Sequence, residues 1–407
     1  MSVRGEKKRV VMAVTNDLVT DRRVLRHAAT LREAGYEVTL FGRNDLHVRS
    51  RRSWRFYAEY NLRLCWRLLR TRCDIVWAND TDTLPACWLA ARLKGRRLVM
   101  DSHELFPEVP ELIDRPRVKR VWERIEGLLL PRCDANMTVC QSIADYYRSK
   151  YGVEMTVVRN LWSDECGVMS DEGIGNWSDE CGVMSDEEIG NWSDECGVMS
   201  DEELGIRNSS LITHHSSLKM LMYQGAVNKG RGVDWAIDAL EFLPDCRLVV
   251  AGGGDLLEEM KAYAQSKPWA ERIVFTGRLT PEELEPLTRQ AAVGLVMLED
   301  MGLSYHFALP NRIGDFIAAG VPIVVSDLPE MAAVVKRFGV GEIIEECKEC
   351  EGVRGSARTN GELLAEAVRK VLTKEWKEED FAAARADMDW NKEKRKLLGC
   401  LKKVEKV

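Results

Sequence analysis

The chain of 407 residues is long enough for two domains of ordinary size, and 45 % hydrophobic with 30 % charged residues is a globular composition. No apolar run approaches the roughly 18–20 residues that span a bilayer, and Val10–Val14 is too short for a signal-peptide core, which argues against a secreted or integral membrane protein. The net charge of −7 hides an asymmetry: residues 1–161 hold 30 basic against 20 acidic residues, residues 162–206 none against 14, and residues 207–407 28 against 31. A basic N-terminal third points to phosphate groups, whether of a nucleotide, a nucleic acid or an anionic lipid.

Short apolar runs predict strands at Val10–Val14, Val38–Phe41, Ile75–Ala78, Leu98–Met100, Ala135–Val139 and Thr156–Val158. Helical periodicity fills the gaps, as at Arg22–Ala34 and Lys119–Leu130. Arg49 to Arg72 holds eight arginines and one glutamate. Arg52, Arg55, Glu59, Arg63, Arg67 and Arg70 form one polar stripe, with Trp54, Tyr57, Leu64, Cys65 and Leu68 opposite. Such a helix either docks on its own sheet with a solvated arginine face or meets anionic headgroups.

A 15-residue repeat follows, starting at Trp162, Trp177 and Trp192, each copy opening WSDECGVMSDE. It is acidic and has no pattern that would bury a continuous face, so residues 162–217 are expected to be a disordered linker. Beyond it, strands are predicted at Met220–Tyr223, Arg247–Ala251, Ile273–Phe275, Val293–Leu298 and Ile323–Ser326, with helices such as Val233–Leu240 and Leu256–Gln265 between them. Glu362 to Val404 reads as helical throughout, with Trp390 opening the last segment. Near-continuous apolar strands alternating with helices predict parallel sheets covered on both faces, hence two doubly wound α/β domains with ligands at the strand C-termini. The twelve cysteines form no disulfide framework on this reading. Cys347 and Cys350 are a single CxxC, read as incidental thiols rather than a zinc site.

The second half resembles the retaining nucleotide-sugar glycosyltransferases of family 4, through YQGAVNKGRGVD (Tyr223 to Asp234), LVVAGGGDLLEEM (Leu248 to Met260), IVFTGRLTPEEL (Ile273 to Leu284) and LPNRIGDFIAAGVPIVVSD (Leu309 to Asp327). The first half is similar to the acceptor-side domain of that family, through TNDLVTDRRVLRHA, ANDTDTLPA and DSHELFPEVPEL. The resemblance implies the GT-B fold: two Rossmann-like domains facing a cleft, with C-terminal helices returning to the N-terminal domain. The expected boundaries are 1–161, the linker 162–217, a nucleotide-sugar-binding domain 218–375 and the returning helices 376–407.

Backbone N–H groups at Leu309, Asn311 and Arg312 are expected to face a diphosphate at a helix start. Asp315, one turn on from Asn311, can accept from ribose hydroxyls; its alternative is a solvated helix position. The family pattern has a Glu-x7-Glu pair here, and in this chain its positions hold Phe307 and Asp315, with Glu299 or Asp300 as candidate replacements for the first carboxylate. The resemblance also implies a cation on the donor phosphates at Arg231, with Lys229 two residues away as a second candidate or a solvated turn residue. The family's arginine after the strand glycine is absent, since Ala226 follows Gly225. His103 matches a cleft histidine near the donor; its alternative is a bond within its own loop. In the loop after the first strand, Asn16, Asp17, Asp21, Arg22 and Arg23 stand where relatives carry glycines, and Arg22 or Arg23 either meets phosphate or decorates a helix. Asp80 and Asp82 form a short DxD that fits helix capping better than metal binding. Gly252–Gly254 lacks the third glycine of a dinucleotide fingerprint, Leu257 standing there.

The expected activity is therefore transfer of a sugar from a nucleoside diphosphate-sugar donor to a glycan or lipid-linked acceptor with retention, with His103, Arg231 and Asp315 as catalytic residues and no metal or further cofactor. A cytoplasmic protein, peripheral on the inner face of a membrane and not binding nucleic acid, fits the basic helix. The alternatives are a nucleotide-sugar epimerase of similar fold and a catalytically weak nucleotide-sugar-binding protein.

Overall fold

The computed structural model describes residues 7–16, 18, 21–50, 54–161, 217–345 and 358–406. Nearly all of the expected linker, and the Cys347–Cys350 pair, lie outside the described residues. The chain divides into two compact units. The first comprises residues 1–161, 300–309 and 389–407, and the second residues 162–299 and 310–388.

In the first unit, the strands are β1 (Arg9–Ala13), β2 (Glu37–Phe41), β3 (Ile75–Asn79), β4 (Arg97–Ser102), β5 (Ala135–Thr138) and β6 (Thr156–Val157). They form one parallel sheet in the order β2-β1-β3-β4-β5-β6. Five helices alternate with them among the described residues: α1 (Arg22–Glu33), α2 (Trp54–Arg70), α3 (Leu84–Lys94), α4 (Pro116–Leu129) and α5 (Gln141–Tyr151). Their ends follow local chemistry. Asp21 caps α1 by accepting from the Val24 N–H, and α3 and α5 stop at Gly95 and Gly152, both in the left-handed region. One sheet face packs Val11, Val76 and Met100 against Tyr60, Leu64 and Leu68 of α2 and Ile143 and Tyr147 of α5. The other packs Val10, Met12 and Trp77 against α1 and against Trp390, Leu397 and Leu401.

In the second unit, the strands are β7 (Lys219–Gln224), β8 (Cys246–Ala251), β9 (Ile273–Gly277), β10 (Val293–Val296), β11 (Ile323–Ser326) and β12 (Gly341–Ile344). Their order is β12-β11-β10-β7-β8-β9, again all parallel. The helices that follow in the chain are α6 (Val233–Ala239), α7 (Leu257–Gln265), α8 (Pro281–Arg289), α9 (Leu303–His306), α10 (Arg312–Ala318), α11 (Pro329–Phe338), α12 (Asn360–Thr373), α13 (Glu378–Asp387) and α14 (Trp390–Lys406). The strand order reverses between β1 and β3 in the first unit and between β7 and β10 in the second. Such switch points, at the strand C-termini, are where doubly wound sheets hold ligands.

The structure departs from the expected boundaries in two places. The returning segment starts at 389, not 376, because α13 is bound to the second unit: Arg385 donates to Ile317 O, and Arg337 donates to Asp387 at 3.0 Å. Residues 300–309 belong to the first unit although the chain around them builds the second. Leu303, Phe307 and Leu309 pack against the first unit's core, and Cys140 Sγ approaches Phe307 O at 3.3 Å. The segment expected to be helical throughout is broken into α12, α13 and α14.

Candidate active site

In the first unit, the ends of β1, β3 and β4 bring charged side chains together. Asp101, the penultimate residue of β4, is fully buried and accepts two hydrogen bonds from Arg23, at 3.0 and 2.6 Å. The third arm of Arg23 donates to Val158 O at 2.7 Å. Arg23 is therefore committed inside the unit and is not a surface cation, while Arg22 is exposed on α1. Burial works against the Asp101 charge, but Arg23, with His103 and His27, holds its carboxyl well below the usual range.

His103 follows β4. Its backbone N–H donates to Asp80 Oδ1 at 2.8 Å. Its ring lies between two carboxylates, with Nδ1 3.3 Å from Asp80 Oδ2 and Nε2 3.5 Å from Asp101 Oδ2. Burial opposes the charged form, yet Asp80 and Asp101 outweigh it and lift the imidazole to about 9. It is cationic at neutral pH. His27 has the opposite fate: burial, then Arg23, lowers it to about 4, and its ring stacks on Trp390.

Asp80 reaches His103 because its backbone is left-handed, with φ of 61°. Asp82 accepts from the Thr15 hydroxyl at 2.6 Å, across the switch point between β1 and β3. Burial, then the Asp80 charge, pushes Asp82 up to about 7. Neither carboxylate caps α3, which corrects the helix-capping expectation. Thr83 stands at that N-cap, and its hydroxyl turns back to Asn79 O. Among the described residues no group of three or more His, Cys, Asp or Glu side chains has an arrangement that could hold a metal ion.

In the second unit, β7 and β8 run directly into glycines, Gly225 and Gly252. A Cβ at Gly252 would lie 1.9 Å from Gly225 O, and one at Gly254 would lie 2.4 Å from Val227 O. These positions exclude any side chain and leave a backbone shelf at the strand ends. Beside it, Gln224 Nε2 donates to Asp315 Oδ2 at 3.1 Å, and the Thr288 hydroxyl donates to Gln224 Oε1 at 2.9 Å. Arg312 is buried, and its guanidinium donates to Gln224 O and Met297 O, both at 3.1 Å, bridging the ends of β7 and β10. Its side chain thus clamps the switch point. Asn311 is exposed and precedes α10, and the Asp315 N–H donates to Asn311 O at 3.3 Å.

Lys229 is exposed and Arg231 half-buried, in a turn made by the left-handed Gly230 and Gly232. Glu299 closes this turn through its N–H to Gly230 O at 2.9 Å, and burial raises its carboxyl. Asp300 lies in the first unit instead, exposed, 2.9 Å from His306 Nδ1. The two candidate replacements for the missing carboxylate therefore sit on different units, as do Leu309 and Asn311. Sequence reasoning missed Asp101 and Gln224. Asp101 stood two residues before the noted His103, at the C-terminal end of a predicted strand.

Two doubly wound parallel sheets, each with polar side chains across its switch point, define a GT-B glycosyltransferase architecture. The sucrose-phosphate synthase of Thermosynechococcus elongatus is similar across 98 % of this chain and 99 % of its own, with a TM-score of 0.68 at 13 % identity. A glycosyltransferase of Rickettsia africae matches over 99 % and 100 %, with a TM-score of 0.64 at 12 % identity. HepE of Anabaena, solved in complex with UDP-glucose, matches over 97 % and 99 %, with a TM-score of 0.60 at 12 % identity. No curated protein matches the chain. Residues 20–161 match the family model described as Glycosyltransferase Family 4, and residues 219–374 that described as Glycosyl transferases group 1. The chain belongs to the group 1 glycosyltransferases and is a transferase enzyme.

Proposed function

We propose that the enzyme moves a sugar from a nucleoside diphosphate-sugar to a glycan or lipid-linked acceptor with retention of configuration, at the inner face of a membrane and without a metal ion. The observation that carries the donor assignment is the pairing of Asp315 with Gln224 beside the glycine shelf. A carboxylate held at one edge of open backbone suits a ribose diol. Lys229 and Arg231 on their glycine turn, with the backbone of Asn311 and Arg312, then take the diphosphate, whose charge grows as the sugar leaves. The UDP-glucose complex of HepE supports a UDP-sugar as the first donor to test.

His103 supplies a positive charge at the strand ends of the first unit. Its two ring nitrogens face the carboxylates of Asp80 and Asp101, so at neutral pH it acts as a fixed positive charge whose N–H groups are already engaged. The same carboxylates make it a poor general acid near neutrality.

Thermal stabilisation by UDP-, GDP-, ADP- and TDP-glucose identifies the donor, since a ligand of the native state raises Tm by mass action. The reading expects one sugar nucleotide to stabilise strongly, glycoside formation to persist in EDTA, and the product anomer to match the donor's. Stabilisation by none of the four would remove the donor assignment. A catalytically weak binding protein is the second reading, favoured by Phe307 at the position of the absent carboxylate; donor binding without transfer to any acceptor would select it.

A further inference from the structure

Among the described residues, the exposed large apolar side chains all fall between Trp54 and Leu128, and none lies in the second unit. They are arranged in stripes. On α2, Trp54, Leu62, Trp66 and Leu69 line one outward flank, at spacings of four, eight, twelve and fifteen residues once Ala58 is included. Leu62 is 74 % exposed and Trp54 73 %. On α3, Leu89 and Leu93 are one turn apart, and on α4 Val118, Val121 and Leu128 share a flank.

The three helices pack side by side, α2 against α3 and α3 against α4. The apolar flank of α2 is the one toward α3, where Asn61 accepts from the Ala86 N–H at 3.0 Å. The arginine flank is the one away from it, where Arg63 donates to Leu46 O and Arg67 lies over Phe41. The helix thus has three faces. Tyr60, Leu64 and Leu68 are buried, one exposed face is apolar and the other is basic. The sequence pattern anticipated only two.

Charge completes the picture. The three helices carry ten Lys and Arg residues against three glutamates. Glu126 is fully buried, and Glu59 is spent on the N–H groups of Arg49 and Ser50 and on Arg63. Arg70 stacks over Trp66 at 3.7 Å, with an aromatic body and a charged tip side by side. Apolar stripes flanked by an excess of cations match a surface that offers hydrocarbon beneath a layer of anionic phosphate.

We infer that the outer face of α2, α3 and α4 docks on an anionic phospholipid bilayer. The exposed Trp, Leu and Val side chains enter the headgroup–acyl boundary and the surrounding arginines meet lipid phosphates. This deepens the reading of a lipid-linked acceptor, yet vesicle binding needs neither donor nor acceptor, so the two fail separately.

The test is co-sedimentation of the full chain with phosphatidylglycerol–phosphatidylcholine vesicles, against pure phosphatidylcholine, at two salt concentrations. Binding is expected on the anionic vesicles and should weaken with salt. Arg67→Gln, Arg92→Gln and Arg124→Gln combined, one exposed position on each helix, should lower partitioning about 100-fold, at roughly fivefold per cation. Leu62→Ser with Leu93→Ser should lower it while unfolding stays unchanged. Arg289→Gln, Arg337→Gln and Lys374→Gln, which remove the same charge from the second unit, should leave it intact. Equal binding to both vesicle types, or an equal loss from the second-unit variant, overturns the inference. So does capture by polyglutamate without vesicle binding, which would assign the face to an acidic protein.

Discussion

At the switch point of the first unit, between β1 and β3, Thr15 reaches across to a buried carboxylate, Asp82, with Asp80, Asp101 and His103 close by. At that of the second unit, between β7 and β10, the crossing group is a buried guanidinium, Arg312, with Gln224 and Asp315 beside it. The sheets are alike, all parallel and doubly wound, but the group that crosses the switch point is a carboxylate in one and a guanidinium in the other. A cationic clamp under a glycine shelf suits an anionic nucleotide. A carboxylate-lined end suits a partner rich in hydroxyl groups. On the proposed reading, the two copies of one architecture would take the two substrates of one transfer, a division drawn from side-chain chemistry that sheet topology does not dictate.

The comparison is broken most severely by removing its central charge. Asp101→Ala leaves Arg23 buried without its carboxylate and should cost about 3–5 kcal/mol, read as a lowered denaturation midpoint. Retention of full stability would mean that the first unit's charge ladder is not structural. A titration sharpens the contrast next. Burial raises Glu126, which accepts from Thr81, Tyr147 and Tyr151, from 4.5 to about 7. The native state therefore binds more protons than the unfolded state across that interval. This contribution is complete below about pH 4.5 and is lost as pH rises through 7. It is on the order of 3 kcal/mol at about 1.4 per unit. Glu126→Gln should flatten that slope in chemical denaturation between pH 5 and 8, and an unchanged slope would remove Glu126 as its source.

On the second unit the effects should appear in binding rather than stability. Arg231→Ala should weaken nucleoside diphosphate roughly 10- to 150-fold, a loss of about 1.5–3 kcal/mol, and nucleoside far less. Asp315→Asn should weaken both by similar factors, because both carry ribose. Calorimetric titration of each variant with uridine and UDP separates the two roles, and equal affinities for Asp315→Asn and wild type would sink the ribose assignment. The smallest effect concerns local stability. Helices α8 and α12 of the second unit both start in capping boxes, Thr280 with Glu283 and Thr359 with Glu362. Thr359→Ala should cost about 1 kcal/mol in thermal unfolding.

The strands were legible in the sequence wherever both faces are buried, since Val10–Ala13 or Ile323–Ser326 leave no polar alternation to misread. The edge strand β12 was not: it is four residues long, half-exposed and opens Gly-Glu. The arginine stripe of α2 was visible, but Trp54 was expected on the face opposite the arginines and lies at the surface. Periodicity finds apolar stripes and does not say which of two is buried. Asp315 could be singled out by its spacing from Asn311, whereas its partner Gln224 lies 91 residues earlier. The Arg23–Asp101 pair spans 78 residues, and the allegiance of 300–309 is decided by Phe307 and Leu309 finding the first unit's core. Such long-range pairings are set by packing, not by local pattern.

Residues 389–407 complete the first unit from the far end of the chain. Trp390 covers His27, Glu393 accepts two hydrogen bonds from Arg159, and Tyr36 donates to Glu405. On the ribosome, the last residues of the second unit emerge before this helix does, so the unit begun first is finished last. Until then the α1 side of its sheet lacks Leu397, Leu401 and Val404. Translation arrested at residue 388 would release a nascent chain with a whole second unit and an uncovered first one, an apolar face of the kind that holdase chaperones bind.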